Sequence, residues 1–397
     1  MPQFSFNSRY YAEDKDIFDL LKASSVTLKQ IARFARKRGV FVSEQDSKED
    51  ILSYFSSLPN SWPQLQELMA EISSDDREEK VSMVRVQSVE PIVKIKEAAE
   101  FVQNLRAQPR NEAYSITETA NGNFQVKVKY TDFDPKTTRL MQRRRREVKI
   151  EVEKLGDRFE IRHDHTARSV EIVNRMVEVL TSTSETEPKV EAVDLSGVTD
   201  PGLRTKFFTQ LITNVQGFRL IDVKDLKVDR YIPIVPEDED TTEKPSEKPA
   251  AKKNTDAELK SMVRRMVLSG DGVLTSDEYK ALRKNEFYIS KVTWMSRETD
   301  GDGRDVLFNA EFSGETDGKS FVYDIRWVWE RDEDGNVRQV KTALAHSDRA
   351  IFLRRLEDAA YKSLKEIQNQ IEKDQPAANE KEVPSSPDQE VQNATTH

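Results

Sequence analysis

Four consecutive arginines, Arg143 to Arg146, form the densest run of positive charge in the sequence, with Arg139 before them and Lys149 after. Guanidinium groups pair bidentately with phosphate and carboxylate, so the cluster reads as a clamp for a phosphate backbone or an acidic partner, carried on a linker between two strands. The bland counterpart is a solvated turn, because charge runs usually face water. A second basic group, Lys29, Arg33, Arg36, Lys37 and Arg38, sits on and just after a stretch of helical spacing. Cations there are explained either by phosphate contact or by the helix macrodipole, which favours positive charge at a helix C-terminus.

Metal chemistry has weaker support. Asp132 or Asp134 with Glu147-Val148-Lys149 resembles the acid and E-x-K pieces of a PD-(D/E)xK nuclease, whose carboxylates hold Mg²⁺ while the lysine orients water. With 34 % of residues charged, E-x-K arises by chance, and Glu187-Pro188-Lys189 repeats it. His163 and His165 share a strand face, but no third ligand is evident and a strand-end polar pair is the favoured reading. Ser269 to Leu274 with Glu278 echoes an EF-hand loop, yet Val267 stands where its first aspartate belongs. A turn between helices capped by Thr275 or Ser276 is expected instead, and Asp300 to Gly303 reads as a hairpin turn. Phosphate-loop, dinucleotide-glycine, G-x-S-x-G and H-E-x-x-H patterns are missing, and cysteine is absent. We therefore expect a non-enzymatic protein with no cofactor and no metal site.

The elements that carry these residues follow from periodicity. Ile17, Leu20 and Leu21, then Leu28, Ile31 and Phe34, then Ile51, Leu52 and Phe55, then Leu65, Leu68 and Met69 predict three or four short helices. Gly39 stops one of them and Ser47 caps another. Two hairpins are expected, around 121–123 and 156–157, with a covering helix near 166–181 and then strand, helix and strand to 228. A polar, proline-bearing stretch at 236–255 lacks core-forming residues. After it come two short helices, near 259–267 and 277–283, then strands near 287–295, 306–312, 321–329 and 337–345, and a helix over 348–371. Phe287, Tyr288, Trp294, Phe308, Phe312, Phe321, Tyr323, Trp327 and Trp329 alternate along those strands, half of them core, with the tryptophans as an alternative stacking platform.

These readings give an α+β multidomain chain. Its parts are a helical module at 14–72, a linker at 73–90, an α+β domain at 91–235, a disordered linker at 236–255, a second α+β domain at 256–372 and a disordered tail at 373–397. The sheets are antiparallel and covered by helices. No run approaches the length of a membrane span and the N-terminus lacks an export signal, so a cytoplasmic location is expected.

The N-terminal stretch, about Asp16 to Leu58, resembles SAP and helix-extension-helix modules, with which Rho-N-type and LEM-like domains share a short architecture. A first helix carries Leu28, Ile31 and Phe34, Gly39 ends it, Val40 to Val42 form the extended link, and Ser47 opens a helix with Ile51 and Leu52. The resemblance implies binding of DNA or RNA, with Lys29, Arg33, Arg36, Lys37 and Arg38 meeting phosphate. Where SAP sequences carry further basic residues near the second helix, this chain has Glu44, Asp46, Glu49 and Asp50. A net charge of −9 excludes a wholly basic surface but not a local basic face. The expected function is a nucleic-acid-binding or scaffold subunit of a larger assembly, such as a prokaryotic genome-maintenance or anti-phage system, with DNA or RNA and protein partners. The alternatives are a protein–protein adaptor without nucleic acid and a metal-dependent nuclease.

Overall fold

A computed structural model of the chain describes residues 12–22, 26–43, 45–73, 79–88, 90–110, 112–119, 122–184, 186–230, 265–314, 318–331, 337–342 and 344–374. The protein is α+β and divides into two compact units between Ala192 and Val193. The expected linker at 236–255 lies outside the described residues, as does all of the expected tail beyond Asp374.

The first unit opens with four helices, α1 (Asp14–Lys22), α2 (Leu28–Lys37), α3 (Lys48–Ser56) and α4 (Trp62–Ser73). Their apolar residues recur at helical spacing and meet in one core of Ile17, Leu20, Leu21, Ile31, Phe34, Leu52, Phe55 and Leu68. The Phe34 and Phe55 rings pack edge to face, 5.5 Å apart. Thr27 caps α2 reciprocally: its hydroxyl accepts from the Gln30 backbone N–H while its own N–H donates to Gln30 Oε1, at 3.3 and 2.8 Å. Gly39, at φ +77°, takes the left-handed turn that stops the helix. Ser47 Oγ accepts from the Asp50 N–H at 3.1 Å to start α3.

An antiparallel sheet follows. Its strands are β1 (Val81–Gln87), β2 (Ala113–Glu118), β3 (Phe124–Phe133), β4 (Arg143–Leu155), β5 (Arg158–Asp164) and β6 (Lys189–Ala192), paired in the order β2-β3-β4-β5-β1-β6. Helices α5 (Ile92–Arg110) and α6 (Ala167–Thr183) cover one face, where Val126, Val128, Val148, Ile150, Phe159 and Ile161 pack on Ile95, Val102, Ile172 and Met176. Two expectations fail here. The predicted linker at 73–90 holds β1, because Val84 and Val86 alternate into the core. The arginine run is no linker either; Arg143 to Arg146 are the first four residues of β4, paired with β3.

The second unit contains α7 (Pro201–Asn214), β7 (Phe218–Arg230), β8 (Arg265–Ser269), α8 (Asp277–Lys284), β9 (Phe287–Glu298), β10 (Asp305–Phe312), β11 (Phe321–Arg331), β12 (Val337–Thr342) and α9 (His346–Asp374). Its sheet is antiparallel in the order β12-β11-β10-β9-β7-β8. Phe207 and Phe208 of α7 meet Phe312, Phe207 also meets Phe321, and Trp294 stacks on Phe308 at 5.4 Å. Of the strand–helix–strand that the sequence assigned to a domain ending at 235, the helix and the second strand belong here as α7 and β7, since β7 pairs with β9 over almost its whole length. The helix expected at 259–267 is corrected as well: residues 265–267 are extended in β8, and 259–264 lie outside the described residues. Lys373 and Asp374, placed in the tail by composition, end α9.

Within the first unit the β3–β4 connection is a structural plug. Met141 is buried in the core of the helical module, Leu140 packs beside it, and the Arg139 guanidinium pairs with Asp16 of α1 at 2.9 Å. Truncating Met141→Ala leaves a cavity in that core and is expected to cost about 2–5 kcal/mol. Urea unfolding followed by far-UV circular dichroism checks this; a midpoint matching the wild type would show that the loop contributes nothing to the module.

Candidate nucleic-acid interface

Side chains alternate across a strand, so the pairing of β3 with β4 sorts every charge in the ribbon onto one of two faces. The even-numbered residues Val126, Val128, Tyr130, Val148 and Ile150 turn towards α5 and α6. The odd-numbered ones turn away, and opposite partners on that outer face are Lys127 with Lys149, Lys129 with Glu147, Thr131 with Arg145, and Phe133 with Arg143. Opposed Cα atoms lie about 4.5–5.5 Å apart in such ladders, so each pair is a close neighbour.

The outer face has two regions. Around β5 and β1 it is charge-compensated and buried: Glu160 accepts from Arg85 at 2.9 Å and pairs with Arg158 at 3.0 Å, and Arg162 pairs with Glu151 at 3.2 Å. Along the β3–β4 ribbon it is cationic and exposed at Lys129, Arg143, Arg145 and Lys149, with Lys127 half-buried. Lys127 and Lys149 face each other with no ion-pair partner among the described residues, and Arg145 also has none. Lys129 reaches Glu147 only loosely, at 3.6 Å, with its side chain 71 % exposed. Arg143 lies 5.9 Å from the ring centroid of Phe133, which is itself 58 % exposed.

The four arginines therefore divide. Arg143 and Arg145 are on the outer face, whereas Arg144 donates to the Met141 carbonyl at 3.2 Å and Arg146 pairs with Asp132 at 3.1 Å and Glu79 at 3.2 Å. Arg139 is committed to Asp16. In the helical module, Lys37 pairs with Glu67 at 2.8 Å, and Arg38 donates to Asn60 Oδ1 at 2.5 Å and the Pro59 carbonyl at 2.6 Å while lying over the Phe55 ring. Those two cations tie helices together. Lys29, Arg33 and Arg36 stand exposed on α2. Sequence reasoning missed Lys127, Lys129 and Phe133, although the alternation in Phe124-Gln125-Val126-Lys127-Val128-Lys129 carries the signal.

The metal readings find no support in this geometry. Asp132 and Glu147 lie on opposite faces of the ribbon, so they do not converge. No cluster of three or more acidic or histidine side chains suited to a metal occurs among the described residues. The EF-hand-like stretch is strand β8 followed by a 3-10 turn at Val273–Thr275, with Ser276 capping α8 and Asp271 paired with Lys224. Of the aromatic set, Trp294 is fully buried and Trp327 is about half exposed. No helix among the described residues is long and apolar enough to cross a membrane.

His163 has a structural role at the edge of this site. His163 Nδ1 lies 3.0 Å from the Asp164 carbonyl and 3.2 Å from Ser169 Oγ in the first turn of α6. The Asp164 carboxylate accepts the Lys149 backbone N–H at 2.8 Å, where β5 ends and the bare ribbon begins. Compared with known proteins, the chain matches no family model and no curated protein.

Burial pushes the Asp164 carboxyl up to about 6, against donation from Lys149, and pushes His163 down to about 4. The two act in opposite senses on stability. Raised Asp164 stabilises the fold below its unfolded value of 3.8, and that contribution is lost as pH rises through about 6. Lowered His163 stabilises above its unfolded value of 6.5, and that contribution is lost as pH falls through about 4. In the wild type these trends oppose one another between the two folded values. Asp164→Asn removes one of them, so its melting temperature relative to wild type should fall as pH drops from about 6 to about 4. Parallel melting curves across that range would refute the assignment.

Proposed function

We propose that this chain is a non-enzymatic nucleic-acid-binding subunit that holds a phosphate backbone on the outer face of the β3–β4 ribbon. The observation that carries the reading is the set Lys127, Lys149 and Arg145, none of which has a side-chain ion pair among the described residues, flanked by Arg143 and Lys129, on a face turned away from the helices. Like charges directly opposite in a ladder cost roughly 0.2–1 kcal/mol relative to neutral pairs. A bound polyanion turns that cost into attraction and releases counterions. Lys29, Arg33 and Arg36 of the SAP-like module supply a second basic face in the same role.

A protein-docking reading is favoured by one separate feature. Phe101 and Leu105, one turn apart on α5, are each about half exposed. Partner binding that ignores salt and depends on these two residues would select it.

Fluorescence anisotropy of the full-length protein with labelled DNA and RNA across a salt series tests the leading reading. Affinity should fall linearly on logarithmic axes as salt rises, and Lys127→Ala with Lys149→Ala should make the slope shallower by about 0.7–0.9 for each lysine that had neutralised a phosphate. Lys37→Ala, which removes a cation already paired with Glu67, should leave the slope unchanged. No binding at about 50 mM salt would sink the proposal.

A further inference from the structure

The phosphate-binding reading leaves open which form of nucleic acid the ribbon takes. We propose that it takes single strands, with Phe133 as the platform on which a base stacks. This inference rests on that reading of the ribbon.

Three observations converge on it. First, Phe133 ends β3 on the same face as the cations, in register with Arg143 and two residues along the strand from the Thr131–Arg145 pair. Its ring is 58 % exposed and stands outside the hydrophobic core. An aromatic face beside a guanidinium offers a base both stacking and cation–π contact, and a base is open to such contact only when it is not paired inside a duplex. Second, the ladder from Phe133 to Lys127 covers six residue steps, about 20 Å at strand rise, with positive side chains on both strands. That is a track along which a flexible backbone can lie with bases turned to the protein.

Third, the ribbon is poorly placed to read a duplex. A two-stranded ribbon can enter a major groove about 12 Å wide, with the groove walls close on both sides of it. Here the 134–142 tip is occupied: Met141 and Leu140 are packed into the helical module and Arg139 is paired with Asp16. The module's bulk at the tip hinders insertion and leaves the side-on, outer face available. A duplex laid on that face would offer phosphates to Lys127, Arg145 and Lys149 but no π-surface to Phe133.

The test compares fluorescein-labelled oligothymidine and oligouridine with a DNA hairpin duplex, using the full chain, Phe133→Leu, Phe133→Trp and Arg145→Ala. Single strands are expected to bind more tightly than the hairpin. Phe133→Leu should weaken the single strands about 5- to 100-fold and leave the hairpin unchanged, while Phe133→Trp should keep the affinity. Phe133→Trp should also show fluorescence quenching by oligothymidine beyond that of the four native tryptophans. Equal binding of single and double strands, insensitive to Phe133→Leu but weakened by Arg145→Ala, would overturn the single-strand inference and leave the phosphate-binding reading standing. Absence of binding to every probe at low salt would overturn both. Because Phe133 is exposed, its substitution should leave the thermal unfolding of the protein unchanged.

Discussion

The unbroken register between β3 and β4 is the constraint on which the first unit depends. Ten consecutive pairs run from Phe124–Val152 to Phe133–Arg143 without a bulge. Because strand side chains alternate, this register commits one set of residues to the helices and the other to the opposite face, and a slip of one residue would exchange them. Val126, Val128, Val148 and Ile150 then have to be buried together, and burying each large aliphatic side chain is worth roughly 1.5–3 kcal/mol. That gain also fixes the odd-numbered lysines and arginines on the outer face. The cationic strip is thus positioned by the hydrophobic core on the other side of the same backbone.

The same ribbon organises what lies at its far end. Beyond the residues paired with β2 and β5, the distal part of β3 and β4 has no neighbouring strand among the described residues to support it. Isolated two-stranded ribbons are marginal in water. Support comes from two sources: Arg146 bonding to Asp132 and Glu79 on the helix-covered side, and the insertion of Met141 into the helical module at the tip. Arg139, Arg144 and Arg146 are therefore part of the scaffold that holds Arg143 and Arg145 in place.

Much of this architecture was readable from periodicity. The helices of the module, both hairpins, α6 and the strands of the second unit other than β8 follow from apolar spacing and turn residues, because each is local. What escaped is non-local or ambiguous at short range. Val81 to Gln87 is polar enough to pass for a linker, and only its pairing with β5 makes it a strand. Four arginines in a row carry no apolar alternation, so nothing in the run announces that it continues β4. Composition alone also treats all basic residues as equivalent, whereas Lys37, Arg38, Arg139 and Arg146 find partners 21 or more positions away or across the ladder.

Which charges are compensated is the more informative pattern. On one outer face, Glu160 draws in Arg85 and Arg158, and Glu151 holds Arg162, so charges that are taken out of water are paired. A few ångströms along the same strands, Lys127 and Lys149 oppose each other with no side-chain ion pair among the described residues, Asp164 meeting Lys149 through its backbone N–H, in a chain whose acidic residues outnumber its basic ones, 71 to 62. Acidic side chains were available in excess, and Glu147 and Glu151 occupy the adjoining positions on that very face, yet neither pairs with either of these two lysines. Solvation tolerates the repulsion, since exposed charges a few ångströms apart interact by only about 1 kcal/mol in water. An exposed surface that keeps such a cost while the neighbouring region removes it would gain from an external polyanion, which is the physical basis for centring the proposed binding face here rather than at the arginine run as a whole.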